Sequence, residues 1–244
     1  MKRLLFLFLM AATALHAAQE VEQADYVFKL LTGQNLQTIT SFMAQQRVEA
    51  FREYPYLYEG TVAEDTEYVQ WLVGLQHSAV AASYLDGEPV GFVSGIAFVD
   101  NEQEFKGSCA LFEENGLDPK DFYYVPEAIV AAAHRNKSLF TRLHSLLEEH
   151  VKSLGYKASC LVLESHEQHP LKPVDYKGPD EAFIKTGYSK TRMLTSCAWP
   201  TIQPDGPAKN QVHPLTYWIK NLKHDNPGNP KLLQAAMAVS ARQN

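Results

Sequence analysis

A basic segment opens a long helical pattern in the middle of the chain. It reads His134-Arg135-Asn136-Lys137-Ser138-Leu139-Phe140. Backbone N–H groups in the first turn of a helix have no helical partner and point outward with a partial positive charge. Arg135 and Lys137 add full charges beside them. The segment therefore indicates a site for a phosphate or pyrophosphate, although an ordinary helix start with a basic first turn gives the same pattern.

A carboxylate and two histidines follow the next β-like run. Glu164 ends that run, and His166 and His169 come shortly after it. Parallel α/β sheets place ligands at this end of their strands, so Glu164 or His169 could orient an acceptor or relay a proton. The three side chains could also be imagined around a metal ion. No cysteine or further carboxylate has ligand spacing with them, so we predict no metal site.

The elements that would position these groups follow from hydrophobic periodicity. The pattern predicts strands at residues 26–31, 78–85, 90–98, 122–131, 158–164, 190–198 and 215–222. It predicts helices at residues 36–51, 66–75, 137–154 and 180–186, with a shorter one near 110–115. Asp65 would cap the second helix, and Gly87 would supply the turn of a hairpin. A long helix between two strands makes those strands parallel neighbours, which favours an α/β fold with a mixed central sheet of about six to seven strands flanked by helices.

Composition and the chain ends narrow the function further. A net charge of −6 over 244 residues argues against a nucleic-acid partner, because neutralising phosphates needs a basic face. Residues 1–18 have the charged, apolar and small-residue order of a signal peptide, with an amphipathic or buried helix as the alternative. We expect an exported protein, periplasmic or secreted, without a membrane span after cleavage. A domain at 19–223 and a tail at 224–244 with a short helix complete the predicted organisation.

Four segments resemble sequence motifs of the GNAT superfamily of N-acetyltransferases. The basic segment 134–140 resembles its R/Q-x-x-G-x-G/A loop, and residues 183–188 look like its late F-Y-x-x-G-F element. Residues 51–60 resemble the F-R-x-Y-P-Y-L-Y-x-G segment of one bacterial subgroup. Residues 169–176 are similar to the H-P-x-R-P-x-D-Y segment of that subgroup. The matches extend over roughly residues 26 to 222 and imply a GNAT fold.

The resemblance implies that the co-substrate is acetyl-CoA and assigns residues to it. The pyrophosphate of coenzyme A would lie on the loop of Arg135, Asn136, Lys137, Ser138, Leu139 and Phe140. The backbone of Ile129 and Val130 would follow the pantetheine arm and the thioester. Ser138 and Phe140 stand where the family has glycines. Ser138 keeps its N–H, whereas Phe140 could crowd the cofactor or pack beneath the loop.

The resemblance also implies roles on the acceptor side. Glu127 would take a proton from the attacking amine, or it would simply pair with a neighbouring cation. The tyrosine that many members use as a general acid aligns with Ile184, so that role is empty or filled elsewhere. Tyr54, Tyr56 and Tyr58 would form aromatic walls at the acceptor site, where cation–π attraction is worth roughly 0.5–2 kcal/mol. Alternating tyrosines also suit a packed loop.

These expectations define one main function and two alternatives. The main one is transfer of acetyl to a primary amine of a small molecule or peptide, by an enzyme that could be a homodimer. One alternative is an exported GNAT-fold binding protein without catalysis, since both loop glycines and the usual tyrosine are replaced. The other is an exported effector that acts where acetyl-CoA exists.

Overall fold

The computed structural model describes residues 25–164 and 170–222. The predicted signal peptide and tail helix lie outside the described residues. His166 and His169 lie outside them as well. Among the described residues, no helix is long and apolar enough to cross a membrane.

Eight strands and five α-helices make up the described part of the chain. The strands are β1 (Val27–Thr32), β2 (Ala79–Leu85), β3 (Glu88–Ala97), β4 (Phe122–Tyr124), β5 (Ala128–Val130), β6 (Ala158–Glu164), β7 (Ser189–Thr201) and β8 (Lys209–Asn221). The helices are α1 (Thr40–Arg52), α2 (Val62–Val73), α3 (Ser108–Glu114), α4 (Leu139–Ser153) and α5 (Asp180–Lys185). Short 3₁₀ turns lie at Gly33–Thr38, Phe98–Gln103, Pro119–Asp121 and Ala132–His134.

The strands form one mixed sheet in the order β1-β2-β3-β4-β6-β8-β7, with β5 paired to β3. The pair β4 and β6 is parallel, as the strand–helix–strand pattern predicts, and the other pairs are antiparallel. The predicted α/β fold with a mixed sheet flanked by helices is therefore confirmed.

Each face of the sheet has its own apolar core because successive strand residues point to opposite faces. Phe92 and Tyr124 pack with α1 and α2 on one face, while Val93 and Tyr123 pack with α4 on the other. The two cores bring α1 and the start of α4 to opposite sides of the central strands.

The structure corrects two element predictions. Helix α2 begins at Val62, and its cap is Thr61, whose side chain accepts from the Glu64 N–H while the Glu64 side chain accepts from the Thr61 N–H. Asp65 lies inside the helix and is buried. The predicted strand 122–131 is divided into β4 and β5, with Pro126 in the break. Proline has no N–H to donate to a sheet ladder, which accounts for the interruption.

Candidate functional site

The central sheet opens between β5 and β6. β4 and β6 pair over Phe122–Tyr124 and Ala158–Cys160, and the Val125 N–H donates to the Cys160 oxygen at 2.8 Å. Beyond that bond the next segment, β5, pairs with β3 among the described strands. A gap therefore opens on the β6 side, starting at the break around Pro126.

A cavity of about 360 Å³ occupies this opening, and we call it the gap cavity. Its walls come from the β4–β5 segment, β6, the end of α1, the start of α4 and α5. Its lining includes Phe51, Glu53, Tyr54, Tyr56, Pro126, Glu127, Ala128, Ile129, Val130, Arg135, Phe140, Leu161, Val162, Leu163, Tyr176 and Phe183. One end of the gap cavity therefore reaches the basic segment before α4.

A second cavity of about 290 Å³ lies beside it, on the sheet face covered by α1 and α2. Seven of its fifteen lining residues are aromatic, so we call it the aromatic cavity. It is lined by Arg47, Phe51, Tyr56, Tyr58, Tyr68, Glu104, Phe105, Tyr124, Pro126, Val162, Cys197, Ala198, Trp199, Pro200 and Leu215. Phe51, Tyr56, Pro126 and Val162 line both cavities. The two spaces therefore meet at the point where the sheet opens.

The ladder of β5 with β3 determines which backbone groups face the gap. The Ser94 N–H donates to the Glu127 oxygen at 3.1 Å, and the Ala131 N–H donates to the Val90 oxygen at 2.9 Å. Backbone polar groups alternate sides along a strand, so those of Ala128 and Val130 point away from β3 toward β6. The Val130 oxygen accepts from Arg135 Nε at 3.2 Å. The family resemblance implies that the backbone of Ile129 and Val130 contacts the pantetheine arm. The alternating direction of the backbone groups along β5 instead favours Ala128 and Val130.

The basic segment adopts a tight loop before α4. Asn136 and Ser138 have positive φ angles of 63° and 60°, so both occupy the left-handed region that glycine adopts most easily. Ser138 thus adopts a backbone conformation that glycine takes most easily. The backbone N–H groups of Leu139 and Phe140 follow it in the first turn of α4. That turn retains the helix-terminal geometry that binds anions.

One of the two cations in this loop already has an ion-pair partner. Arg135 donates through both terminal nitrogens to the Glu53 carboxylate, at 2.9 and 3.0 Å. The Lys137 ammonium lies 5.9 Å from the centre of the Tyr26 ring. Arg135 therefore links the start of α4 to the end of α1, and Lys137 remains the cation beside the loop with no ion pair among the described residues.

Phe140 takes part in an aromatic cluster. Its ring centre lies 5.2 Å from that of Phe183 and 4.5 Å from that of His144. Phe140 also lines the gap cavity. The sequence analysis left two alternatives for the Phe140 ring, packing beneath the loop and crowding the cofactor. The ring packs in the cluster and also lines the gap cavity.

Glu127 belongs to a buried network of charges. One of its oxygens pairs with Arg47 Nη1, and the other accepts from Ser94 Oγ at 2.8 Å. Arg47 Nε also donates to Asp65 at 2.5 Å. Burial disfavours the charged guanidinium, but Glu127, Tyr68 and Asp65 outweigh it and hold the pKa of Arg47 above its ordinary value. These contacts match the pairing role that the sequence analysis gave as the alternative for Glu127.

The three predicted tyrosines line the two cavities. Tyr58 lines the aromatic cavity, Tyr56 lines both, and Tyr54 lines the gap cavity and packs on Tyr176 with ring centres 4.5 Å apart. Burial, and next the Asp65 carboxylate, raise the pKa of Tyr58 to about 12. Tyr58 is therefore neutral at physiological pH.

Glu164 takes part in a series of hydrogen bonds that passes through His213, whose ring stacks on Trp199. Its carboxylate lies 2.9 Å from Nδ1 of His213, and Nε2 of that ring lies 2.7 Å from Thr201 Oγ1. The Trp199 and His213 rings stack with centres 3.7 Å apart. Burial raises the pKa of Glu164 to about 8. Glu164 lines neither cavity and reaches Trp199 of the aromatic cavity through His213, while His169 lies outside the described residues.

Sequence reasoning missed Arg47 and Glu104. Arg47 follows Met43 and precedes Phe51 at four-residue spacing, so a charged residue on the buried stripe of α1 was a readable signal. Glu104 lies in a segment with no periodic pattern, where no such signal exists. The Tyr68 hydroxyl lies 3.4 Å from its carboxylate. Glu104 is an exposed residue, and desolvation by the protein around it, and next the Glu127 charge, raise its pKa against the opposing effect of Arg47.

No group of three or more histidine, cysteine, aspartate or glutamate side chains that could hold a metal ion occurs within residues 25–164 and 170–222. The candidate cluster of Glu164, His166 and His169 falls partly outside these ranges.

Comparison with known proteins identifies structural relatives. No protein-family model matches the chain, and no curated protein matches its sequence. An aminoglycoside 6'-N-acetyltransferase complexed with coenzyme A is 16% identical with a TM-score of 0.51, and the enzyme of that name from Enterococcus faecium is 14% identical with the same score. Each match covers 82% of this chain and 99% of the other. The Salmonella typhimurium protein yncA, in complex with acetyl-CoA, is 13% identical with a TM-score of 0.50, covering 83% of this chain and 97% of its own.

Proposed function

We propose that this chain, whose fold is that of the GNAT N-acetyltransferases, moves acetyl from acetyl-CoA to a primary amine of a small molecule or peptide. One observation carries the proposal. The gap cavity runs from the first turn of α4 to the point where it meets the aromatic cavity. A thioester that entered along the first space would thus meet an amine that entered through the second.

The donor fits the groups that line the gap cavity. The pantetheine arm of coenzyme A contains amide groups, and the backbone of Ala128 and Val130 offers polar groups directed toward the gap. Its pyrophosphate would lie on the N–H groups of Leu139 and Phe140, with the Lys137 ammonium nearby. Arg135 would support this loop through its bonds to Glu53 and Val130. Complexes of the structural relatives with coenzyme A and with acetyl-CoA support this choice of donor.

The reaction is a simple substitution at the thioester carbonyl. The amine nitrogen forms a bond to the carbonyl carbon, the carbon–sulfur bond breaks, and the amine loses a proton while the thiolate leaving group gains one. In this proposal, backbone N–H groups that face the gap, such as that of Ala128, would stabilise the oxyanion that forms on the way. Glu127 stays a candidate for the proton acceptor, although both of its oxygens are engaged.

Ser138 bears on the alternative of a protein without catalysis. That alternative rested on the replacement of both loop glycines and of the usual tyrosine, and Ser138 bears on the first of these. Ser138 has the left-handed backbone conformation that a glycine would take, and it keeps its N–H. Its replacement of glycine therefore gives no reason to expect a closed loop, and we favour the enzyme.

A thermal-shift titration tests the donor site. Acetyl-CoA at one hundred times its dissociation constant should stabilise the wild-type protein by about 2.7 kcal/mol. Ser138→Asp should abolish the shift, because it places a negative charge against the phosphates, whereas Ser138→Gly should preserve or increase it. The unliganded Asp variant should stay folded, since a negative charge suits a helix N-terminus. Wild-type and Ser138→Gly proteins that both ignore millimolar acetyl-CoA would refute the proposal.

A further inference from the structure

We infer that the aromatic cavity binds its acceptor as an organic ammonium ion with an apolar body, and that Glu104 is the carboxylate that contacts the ammonium group. That this ligand is an acetyl acceptor rests on the proposed function, and the inference restricts the acceptor amines to those with an apolar body. Zwitterionic amino acids are excluded from the class, because their carboxylate would enter the same negative surroundings.

The charges around the cavity favour a cation. Arg47 is the sole cation that lines the aromatic cavity within the described residues. Its guanidinium is already bound to Asp65 and Glu127, whose side chains are 1% and 0% exposed. These three groups leave one negative charge in excess, and Glu104 adds to it when ionised. A negative charge held away from water gains free energy when a cation binds beside it.

Glu104 is the carboxylate with capacity for a ligand. It forms no ion pair within the described ranges, and the Tyr68 hydroxyl that donates to it lies at the long distance of 3.4 Å. Glu127, by contrast, has both oxygens engaged by Arg47 and Ser94. Glu104 lines the aromatic cavity and is exposed, so an incoming ammonium can reach its carboxylate. Desolvation, and next the Glu127 charge, raise the pKa of Glu104 against the effect of Arg47, and an ammonium beside the carboxylate would offset both.

The walls suit the apolar part and the charge of such a ligand. Phe51, Tyr56, Tyr68 and Trp199 are among the rings that line the cavity. Two of these rings already face a cation, since the Arg47 guanidinium carbon lies 3.9 Å from the centre of Tyr68 and 5.1 Å from that of Phe51. Aromatic faces attract cations because of their negative quadrupole, and aromatic rings also bury apolar surface.

Binding of three probes of similar size, measured by calorimetry without acetyl-CoA, tests the inference. The probes are 2-phenylethylamine, which is cationic at pH 8, 2-phenylethanol, which is neutral, and phenylalanine, which is zwitterionic. We expect the amine to bind about tenfold more tightly than the alcohol, and phenylalanine to bind no better than the alcohol. Glu104→Gln should remove the preference for the amine. Glu114→Gln, which removes the same charge from an exposed site in α3, should retain it.

The outcomes are decisive in each direction. Equal affinities for amine and alcohol, tight binding of phenylalanine, a preference that survives Glu104→Gln, or failure of all three probes to bind would overturn the inference. The probes are tested without the donor, so their result is independent of the acetyl-CoA titration. If the amine binds but acetyl-CoA causes no thermal shift, the cation site is supported and the acetyltransferase proposal fails. If acetyl-CoA causes a shift but the amine does not bind, the acetyltransferase proposal is supported and the cation site fails.

Discussion

Replacement of Arg47 by methionine should destabilise the protein severely. The substitution keeps an unbranched side chain of similar reach but removes the guanidinium that binds Asp65 and Glu127. Both carboxylates are buried and would then have lost their cation. Ser94 would still donate one hydrogen bond to Glu127, which compensates only part of the loss.

The expected magnitude follows from burial. Removing one partner of a buried ion pair costs about 3–5 kcal/mol, because a charge is left without compensation away from water. The loss of cation–π contact with Tyr68, at 3.9 Å, adds roughly 0.5–2 kcal/mol. Arg52→Met is the matched control in the same helix. Its pair with Glu59 has side chains 52% and 42% exposed, and such surface pairs contribute about 0–1 kcal/mol.

Urea unfolding at pH 7 measures both variants. We expect the free energy of unfolding to fall by at least about 3 kcal/mol for Arg47→Met and by less than about 1 kcal/mol for Arg52→Met. Adding Asp65→Asn and Glu127→Gln to the first variant removes the stranded charges and should recover part of the loss. If Arg47→Met costs no more than Arg52→Met, or if the two amide substitutions recover nothing, the network does not hold the helices to the sheet as the contacts indicate.

Three further predictions concern single side chains. Thr61→Ala should lower the free energy of unfolding by about 1 kcal/mol, since it removes the cap of α2, and an unchanged urea midpoint would contradict that role. His144→Leu should make the protein less sensitive to acid. Burial, and next Lys220, lower the pKa of His144 to about 3, so the unfolded chain binds a proton at this histidine before the folded protein does, and stability falls as pH drops from about 6.5 toward 3. Parallel curves of stability against pH for variant and wild type would disprove this prediction. Gly60→Ala should displace the Tyr58 ring, which an added Cβ would approach to 2.0 Å, and calorimetry should show weaker 2-phenylethylamine binding; unchanged affinity would show that this ring does not form the cavity wall.

The sequence predicted the elements whose periodicity is strong. The strand Ala158–Glu164 is confirmed at both bounds, and the hairpin and the long helix agree within a few residues. The cap of α2 was missed because the apolar stripe of this helix begins only at Tyr68, so the predicted helix start was placed at Asp65. The pattern of Thr61 followed three residues later by Glu64 is a readable capping box.

The division of the fourth predicted strand had a signal that the apolar pattern concealed. Pro126 interrupts the run of apolar residues, and a proline there argues against a continuous central strand. The identity of the site was harder to read, because its contacts join distant parts of the chain. Arg47 and Glu127 are separated by 80 residues, and no local pattern indicates such a pair. The placement of Glu104 likewise depends on how an irregular segment folds against α2.

The contacts of Glu127 change how proton transfer is best explained in the proposed reaction. A base needs a lone pair that can reach the acceptor nitrogen, directly or through one water. Glu127 uses one oxygen for Arg47 and the other for Ser94, so it would have to leave one partner before it could accept a proton. Glu104 lines the cavity that we propose for the acceptor, forms no ion pair among the described residues, and has a pKa that desolvation and the Glu127 charge raise toward neutrality. Glu127 is then better explained as the anchor that ties Arg47 to the break in the sheet, and Glu104 is the carboxylate that we propose as the proton acceptor.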